Sequence, residues 1–283
     1  MALTTTDLML KNAQTGNYAV GAFNAENMEM VQAIVAAAEE LNAPVIIQTT
    51  PGTVRYASLE LYLANVRAAA EAAKVPVAMH LDHGESFQLA MQALRAGYTS
   101  IMIDGSKEIL EKNIAVTKSV VDACKPSSVP VEGELGKVGG KEDDMECSGT
   151  GYTDPEEAVE FVKQTGVSSL AVGVGTAHGV YATTPVLNTE LISILRKKID
   201  VPMVLHGASG LSDEAVQECI KRGICKVNFA TELRIAYTNA LQEYLLKNPK
   251  VIDPKKYGAV AREAVKALVM GRIKVLGSDG KAE

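Results

Sequence analysis

None of the four cysteines (Cys124, Cys147, Cys219, Cys225) stands in a CxxC pair, so neither a thiolate zinc knuckle nor a disulfide framework is indicated. They read as reduced and structural. No apolar run approaches the ~20 residues of a membrane span, and the first ten residues have neither a basic region nor an apolar core of the signal-peptide kind. No long basic run is present and the net charge is −6, which argues against nucleic acid or an anionic membrane as partner. A cytoplasmic location is expected. Low-complexity segments and short repeats are also missing, and no GxGxxG follows the first apolar run.

What is present is alternation. Short runs rich in Val and Ile recur at 19–23, 45–49, 77–81, 100–103, 129–135, 169–174, 203–206 and 225–229. Amphipathic stretches lie between them, at 28–41, 59–74, 109–124, 155–165, 212–222 and 231–247. That order predicts repeated βα units. Ser58 before Leu59, Asp154 before Pro155 and the acidic pair Asp213-Glu214 after Ser212 mark helix starts. Eight strands and eight crossovers fill a single-domain α/β (β/α)8 TIM barrel over 1–283, with an extra C-terminal helix at 257–276. The rival fold, an open doubly wound sheet, lacks both its glycine fingerprint and a composition break. Residues 136–153, rich in Gly, Asp and Glu, have no hydrophobic period and read as a mobile active-site loop.

Polar residues with chemical capability fall at the C-terminal ends of the runs, where barrel enzymes build their sites. Asn24, Thr50, Asp82-His83, Asp104, Glu132, Glu134, His178, His206 and Asn228 all do so. The chain has four histidines, and three of them (His83, His178, His206) follow runs three, six and seven. Singly, each reads better as a loop histidine satisfied by its neighbours; together they suit a three-imidazole metal site with an open position. His80, inside the third run, reads as packing. The turns 173–179 and 206–210 are rich in glycine, and the 228–231 turn opens a helix, a set that suits an anion. A metal, an anion cradle and carboxylates leave two chemistries open, aldol cleavage and metal-assisted hydrolysis. The hydrolases commonly start with His-x-His, a spacing that His80 and His83 do not have.

Five segments carry a resemblance: 80–83 (HLDH), 134–143 (ELGKVGGKED), 175–179 (GTAHG), 205–210 (LHGASG) and 226–232 (KVNFATE). In this order they resemble the class II ketose-bisphosphate aldolases, and the likeness runs from about residue 24 to the last helix. The 228–232 turn (NFATE) looks closer to the tagatose-bisphosphate members. The resemblance implies zinc-dependent, reversible cleavage of a tagatose- or fructose-type ketose 1,6-bisphosphate to dihydroxyacetone phosphate and glyceraldehyde 3-phosphate. A ketose 1-phosphate with a different group at C6 is the alternative. It further implies that His83, His178 and His206 hold zinc, with Glu134 at an alternative metal position and Asp104 supporting the histidines. Asp82 is matched to the acid/base at the C4 hydroxyl, and Glu142 to proton movement at the dihydroxyacetone-phosphate carbon. Without the resemblance, Asp82 reads as a carboxylate orienting a ligand and Glu142 as a solvated loop acid.

Gly179, Gly207, Ser209, Asn228 and Thr231 match the cradle for the C1 phosphate, with Na+ or K+ sometimes nearby, and Asn24 and Thr50 are further substrate candidates. The distal phosphate is the point of departure: relatives carry Asp-Pro-Arg where this chain has Asp253-Pro254-Lys255, losing the bidentate fork. Arg55 is a compensating candidate, or an exposed, solvated arginine. Lys226 invites a Schiff-base mechanism, but such an enzyme needs no converging histidines. A homodimer or homotetramer is implied, in some relatives with a noncatalytic partner subunit. A catalytically inert subunit of this kind would itself be expected to have lost metal ligands that this chain retains.

Overall fold

The computed structural model describes residues 3–142, 145–147, 151–181, 183 and 185–282, with backbone alone at 141–142 and 145–147. Eight strands close a parallel barrel: β1 (Val20–Asn24), β2 (Val45–Thr49), β3 (Val77–Gly84), β4 (Ser100–Ile103), β5 (Val131–Leu135), β8 (Ser169–Val172), β10 (Met203–Leu205) and β11 (Ile224–Phe229). Each falls on one of the eight apolar runs. The strands are buried along their length, since helices cover the outer face and side chains fill the inside.

The helices are α1 (Thr6–Gly16), α2 (Met28–Glu40), α3 (Pro51–Ala57), α4 (Leu59–Ala72), α5 (Phe87–Ala96), α6 (Leu110–Cys124), α7 (Pro155–Thr165), α8 (Thr189–Lys198), α9 (Asp213–Arg222), α10 (Thr231–Lys247) and α11 (Pro254–Leu276). The signalled starts hold. Ser58 accepts from the Leu61 amide, Asp154 from those of Glu156 and Glu157, and Ser212 from that of Ala215. Helices α1, α3, α5 and α8 were not anticipated. For α3, the Thr-Pro-Gly sequence that reads as a turn instead begins a helix, with Thr50 as N-cap and Pro51 in its first turn.

The extra helix, α11, starts at Pro254 rather than 257. It buries Gly258, Ala261, Val265, Val269, Ile273 and Leu276 along one stripe and packs on α2 and α10. Its end seals the first strand, where the Ala19 amide donates to the Leu276 carbonyl.

The segment read as a loop, 136–153, contains two strands. β6 (Gly139–Glu142) and β7 (Met145–Cys147) pair antiparallel, and β6 pairs in parallel with β9 (Ala177–His178). Backbone pairing needs no hydrophobic alternation, so a polar, glycine-rich strand gives no period-two signal.

Candidate metal centre and active site

Asp82 and His83 are consecutive, and in a regular strand their side chains would face opposite sides. Here both face the barrel mouth. His83 takes a left-handed backbone with φ 47°, and the register with β4 shifts between Leu81 and Gly84. This bulge turns the His83 ring inward beside Asp82. Gly84 completes it, because a Cβ there would lie 2.3 Å from the Met102 carbonyl oxygen. His206 follows directly on β10, and His178 ends β9, held against β6 at Gly140.

The three rings converge. Their centroids lie 5.0 Å apart for His83–His178, 4.6 Å for His83–His206 and 6.0 Å for His178–His206. Ligand atoms of the three fall within 4.8 Å of one another, and so do those of His83, Asp104 and Glu134. Asp104 Oδ2 stands 3.0 Å from His83 Nδ1, and Glu132 Oε1 stands 3.0 Å from His206 Nε2. With each carboxylate accepting from the ring N–H on its side, the nitrogens left to a metal would be His83 Nε2 and His206 Nδ1, which face each other at 2.9 Å.

Nitrogens bound to one tetrahedral zinc at about 2.0–2.1 Å stand about 3.3 Å apart, so this pair needs little adjustment to share an ion. Glu134 Oε2 is buried without a hydrogen-bond partner, 3.9 Å from ring nitrogens of both His83 and His206. An orphaned carboxylate oxygen beside two facing lone pairs fits a divalent cation.

The electrostatics agree. Burial, and then the charge of His83, lower His178 and His206 well below the usual imidazole range, which keeps both rings neutral. Burial, and then Asp104, push the Glu134 carboxyl well above the usual range. For Asp104 burial acts upward, but the hydrogen bond and charge of His83, with two donors from Ser106, hold it well below that range.

Asp82 is buried in a cage of amides. Its Oδ2 accepts from Gln48 Nε2 at 2.9 Å and Asn24 Nδ2 at 3.4 Å, and its Oδ1 from Asn228 Nδ2 at 3.1 Å. Its described hydrogen bonds therefore go to amides rather than to a histidine. Gln48 was not singled out from the sequence, although a glutamine inside an otherwise apolar parallel strand was the available signal.

Beside His178 lies a small pocket lined by His178, Gly179, Gly207, Ser209, Asn228, Ala230, Thr231 and Arg234. All five cradle residues anticipated from the sequence line it. Gly207 has φ +68°, and a Cβ there would meet the Ala177 carbonyl oxygen at 2.6 Å, so only glycine lets the two turns approach. The Tyr181 hydroxyl ties them together, accepting from the Ala177 amide and donating to the Gly207 carbonyl, each at 2.8 Å. Arg234, also missed, is the basic side chain among the described lining residues, and its guanidinium shares Glu26 Oε1 at 2.6 and 2.9 Å.

Other candidates lie apart from this pocket. Thr50 caps α3, its Oγ1 3.3 Å from the Thr53 amide. Arg55 pairs with Glu85 at 3.5 Å, and Lys255 pairs with Asp253 at 2.9 Å with its side chain 87% exposed. The backbone of Glu142 closes β6 opposite Met145, and its side chain lies outside the described residues.

A (β/α)8 barrel with converging imidazoles that could hold a metal ion and a glycine-walled pocket beside them at its mouth has the layout of a barrel enzyme. The chain belongs to the class II fructose-bisphosphate aldolase family, whose model matches residues 4–281, and is an aldolase, a carbon–carbon lyase. Its structure is similar to that of the YdjI aldolase from Escherichia coli K12, with 38% identity over 99% of this chain and 100% of that one and a TM-score of 0.88. A Coccidioides immitis protein taken to be a fructose-1,6-bisphosphate aldolase is 30% identical over 97% and 96% of the two chains, with a TM-score of 0.88. The Campylobacter jejuni fructose-bisphosphate aldolase, 22% identical with a TM-score of 0.83 over 99% and 97%, shares the fold. The hydrolase alternative falls with the family.

Proposed function

We propose that the protein catalyses zinc-dependent, reversible aldol cleavage of a ketose 1,6-bisphosphate of the tagatose or fructose type, giving dihydroxyacetone phosphate and glyceraldehyde 3-phosphate. The observation that carries this reading is adjacency: His178 belongs both to the imidazole triad and to the wall of the anion pocket. A ligand with phosphate in that pocket therefore presents its next atoms to the triad. His83, His178 and His206 hold the ion, with Glu134 offering an alternative oxygen. A zinc ion there supplies Lewis-acid polarisation of the ketose carbonyl and stabilises the charge that develops as the bond breaks.

The chain's own groups do the rest. The C1 phosphate is held by Gly179, Gly207, Ser209, Asn228 and the N-terminus of α10 at Thr231, with Arg234 as counter-charge. Asp82, held as an acceptor by three amides, takes the C4 hydroxyl proton; the C3–C4 bond breaks, C4 becomes the aldehyde carbonyl, and C3 then gains a proton. Glu142 moves that proton, on a strand whose neighbour Gly140 pairs with His178, and closure of 136–153 over the substrate brings it into place. A monovalent cation, Na+ or K+, is assigned near the pocket, where Thr176 Oγ1 and Asn228 Oδ1 are buried acceptors without a partner.

A ketose 1-phosphate with another C6 group is the second reading. It is favoured by the placement of Arg55 and Lys255, both engaged with carboxylates away from the described pocket. The protein is further proposed to act in the cytoplasm as a homodimer or homotetramer, with or without a noncatalytic subunit. Exposed Ile235 and Leu246 on α10 and Ile252 beyond it support such assembly, and no helix among the described residues is long and apolar enough to cross a membrane. Steady-state cleavage of tagatose and fructose bisphosphates, and of 1-phosphates with other C6 groups, by the zinc-loaded protein tests the reading. It fails if none of them is cleaved.

A further inference from the structure

Below the triad, a line of buried polar groups runs down the barrel interior, and aldol chemistry makes no direct use of it. Lys226 on β11 is fully buried, as are Glu132 on β5 and His80 on β3. Lys226 Nζ lies 2.8 Å from Glu132 Oε2 and 3.4 Å from His80 Nε2. His80 Nδ1 is 2.7 Å from Ser100 Oγ, which also accepts from Thr6 Oγ1 at 3.0 Å. At the other end Glu132 Oε1 meets His206 Nε2 at 3.0 Å.

One set of donor and acceptor roles satisfies every link. Lys226, as an ammonium with protons to give, donates to Glu132 and to His80. His80 then passes its own ring proton to Ser100, and Glu132 keeps both oxygens as acceptors, one for Lys226 and one for His206. The Asn228 amide lies 3.3 Å from the same His206 nitrogen, but its shorter bond, 3.1 Å to Asp82, takes the donor. Without Lys226, Glu132 Oε2 loses its 2.8 Å partner, and the carboxylate is no longer held with Oε1 against His206 Nε2.

We propose that the Glu132–Lys226 ion pair positions the metal centre: it fixes His206 as the tautomer with its proton on Nε2 and its Nδ1 lone pair toward His83 and His178. Lys226 is thereby a positioning residue and not a Schiff-base nucleophile; its nitrogen is committed to two acceptors and shielded from solvent. This rests on the reading of His206 as a metal ligand. Outer carboxylates on ligating histidines are worth about 10- to 100-fold in metal affinity, and the same loss is expected when the cation behind the carboxylate is removed.

The test uses the full chain. Zinc affinity is measured by competition with a chelator for wild type, Lys226→Met, and Glu132→Gln/Lys226→Met, in which a neutral amide oxygen still accepts from His206 and no charge is left unpaired. The single variant is expected to bind zinc about 10- to 100-fold more weakly and the double variant to recover most of the loss. Nitrogen NMR of ring-labelled histidine in the zinc-loaded wild type is expected to show His206 protonated at Nε2 and metallated at Nδ1, a readout that does not depend on the single variant folding.

Wild-type affinity in Lys226→Met, or metal on Nε2 of His206, overturns the proposal and leaves the aldolase reading standing. A wild type that binds no zinc overturns both. Borohydride reduction in the presence of substrate is expected to leave Lys226 unmodified, and an adduct there contradicts its assigned role.

Discussion

His83 Nε2 and His206 Nδ1 face each other at 2.9 Å, with Asp104 Oδ2 3.0 Å from the far nitrogen of the first ring and Glu132 Oε1 3.0 Å from that of the second. With both far nitrogens protonated, the two facing lone pairs would repel unless a cation lay between them. The fold brings the pair together through a bulge in one strand and the end of another, so a bound cation is expected to act on stability as well as on chemistry. Zinc present at about 1,000 times its dissociation constant is expected to stabilise the chain by about 4 kcal/mol, a rise in Tm on the order of 10 °C. Thermal unfolding with chelator and with added zinc measures this, and His206→Ala is expected to lose both the zinc-induced rise and turnover. Unchanged metal content and turnover in His206→Ala would show the site to be misplaced.

Asp82 accepts from three amides and none of its described hydrogen bonds goes to a ring. Asp82→Ala is therefore expected to retain zinc while cleavage falls by about 10²- to 10⁴-fold, the usual size of a general acid–base contribution. Metal analysis together with turnover checks the pair of outcomes. Loss of zinc with loss of activity would return Asp82 to the role of a ligand-orienting carboxylate.

Gly140 ties the 136–153 segment to the centre. Its φ is +91°, and an added Cβ would lie 2.2 Å from the His178 carbonyl oxygen. Gly140→Ala is expected to cost about 1–3 kcal/mol from the backbone alone, to separate β6 from β9 and so to weaken zinc binding. Gly271, where a Cβ meets nothing within 4 Å, serves as the control for a glycine substitution. Equal zinc affinity in Gly140→Ala would uncouple the segment from His178.

Arg234 faces the anion pocket from α10, already sharing Glu26. Arg234→Gln is expected to raise KM for a phosphorylated ketose by about 10- to 100-fold, the worth of a charge-assisted hydrogen bond, with a smaller change in kcat. Steady-state kinetics and inhibition by inorganic phosphate measure it; an unchanged KM assigns the guanidinium to Glu26 alone.

Glu134 carries a pH signature in the zinc-free protein. Its folded-state carboxyl is raised above the ordinary value of 4.5 by burial and by Asp104, so the native chain holds a proton that the unfolded chain has released. Its contribution to stability is fully present below that ordinary value and is lost as pH rises through the folded one. The imidazoles of His178 and His206 act the other way: lowered in the fold, they contribute stability above 6.5 that is lost as pH falls toward their folded values. They are common to wild type and Glu134→Gln, so the difference between the two isolates the carboxylate. Urea unfolding without zinc at about pH 5 and about pH 8 is expected to show Glu134→Gln gaining on wild type at the higher pH. A constant difference would place Glu134 in a less costly environment.

The barrel was legible because all eight strands fall on apolar runs with polar residues at their ends; residue type and order brought His83, His178 and His206 together as candidates, whereas the individual cradle residues came from the family resemblance. The bulge at His83 was not, because a left-handed backbone at a histidine depends on how β3 meets β4. The β6–β7 pair escaped notice for want of hydrophobic alternation, and α3 because Thr-Pro-Gly serves a turn and a helix start alike. Gln48 and Lys226 are long-range partners: their contacts follow from strands β2 and β11 facing one interior, which spacing along the chain does not encode.

The most direct test is to strip the protein with chelator and titrate zinc back while following cleavage of a ketose bisphosphate. The expected result is no turnover without metal and a linear recovery that stops at one zinc per chain. Full turnover by a preparation shown to contain no divalent metal would contradict the account.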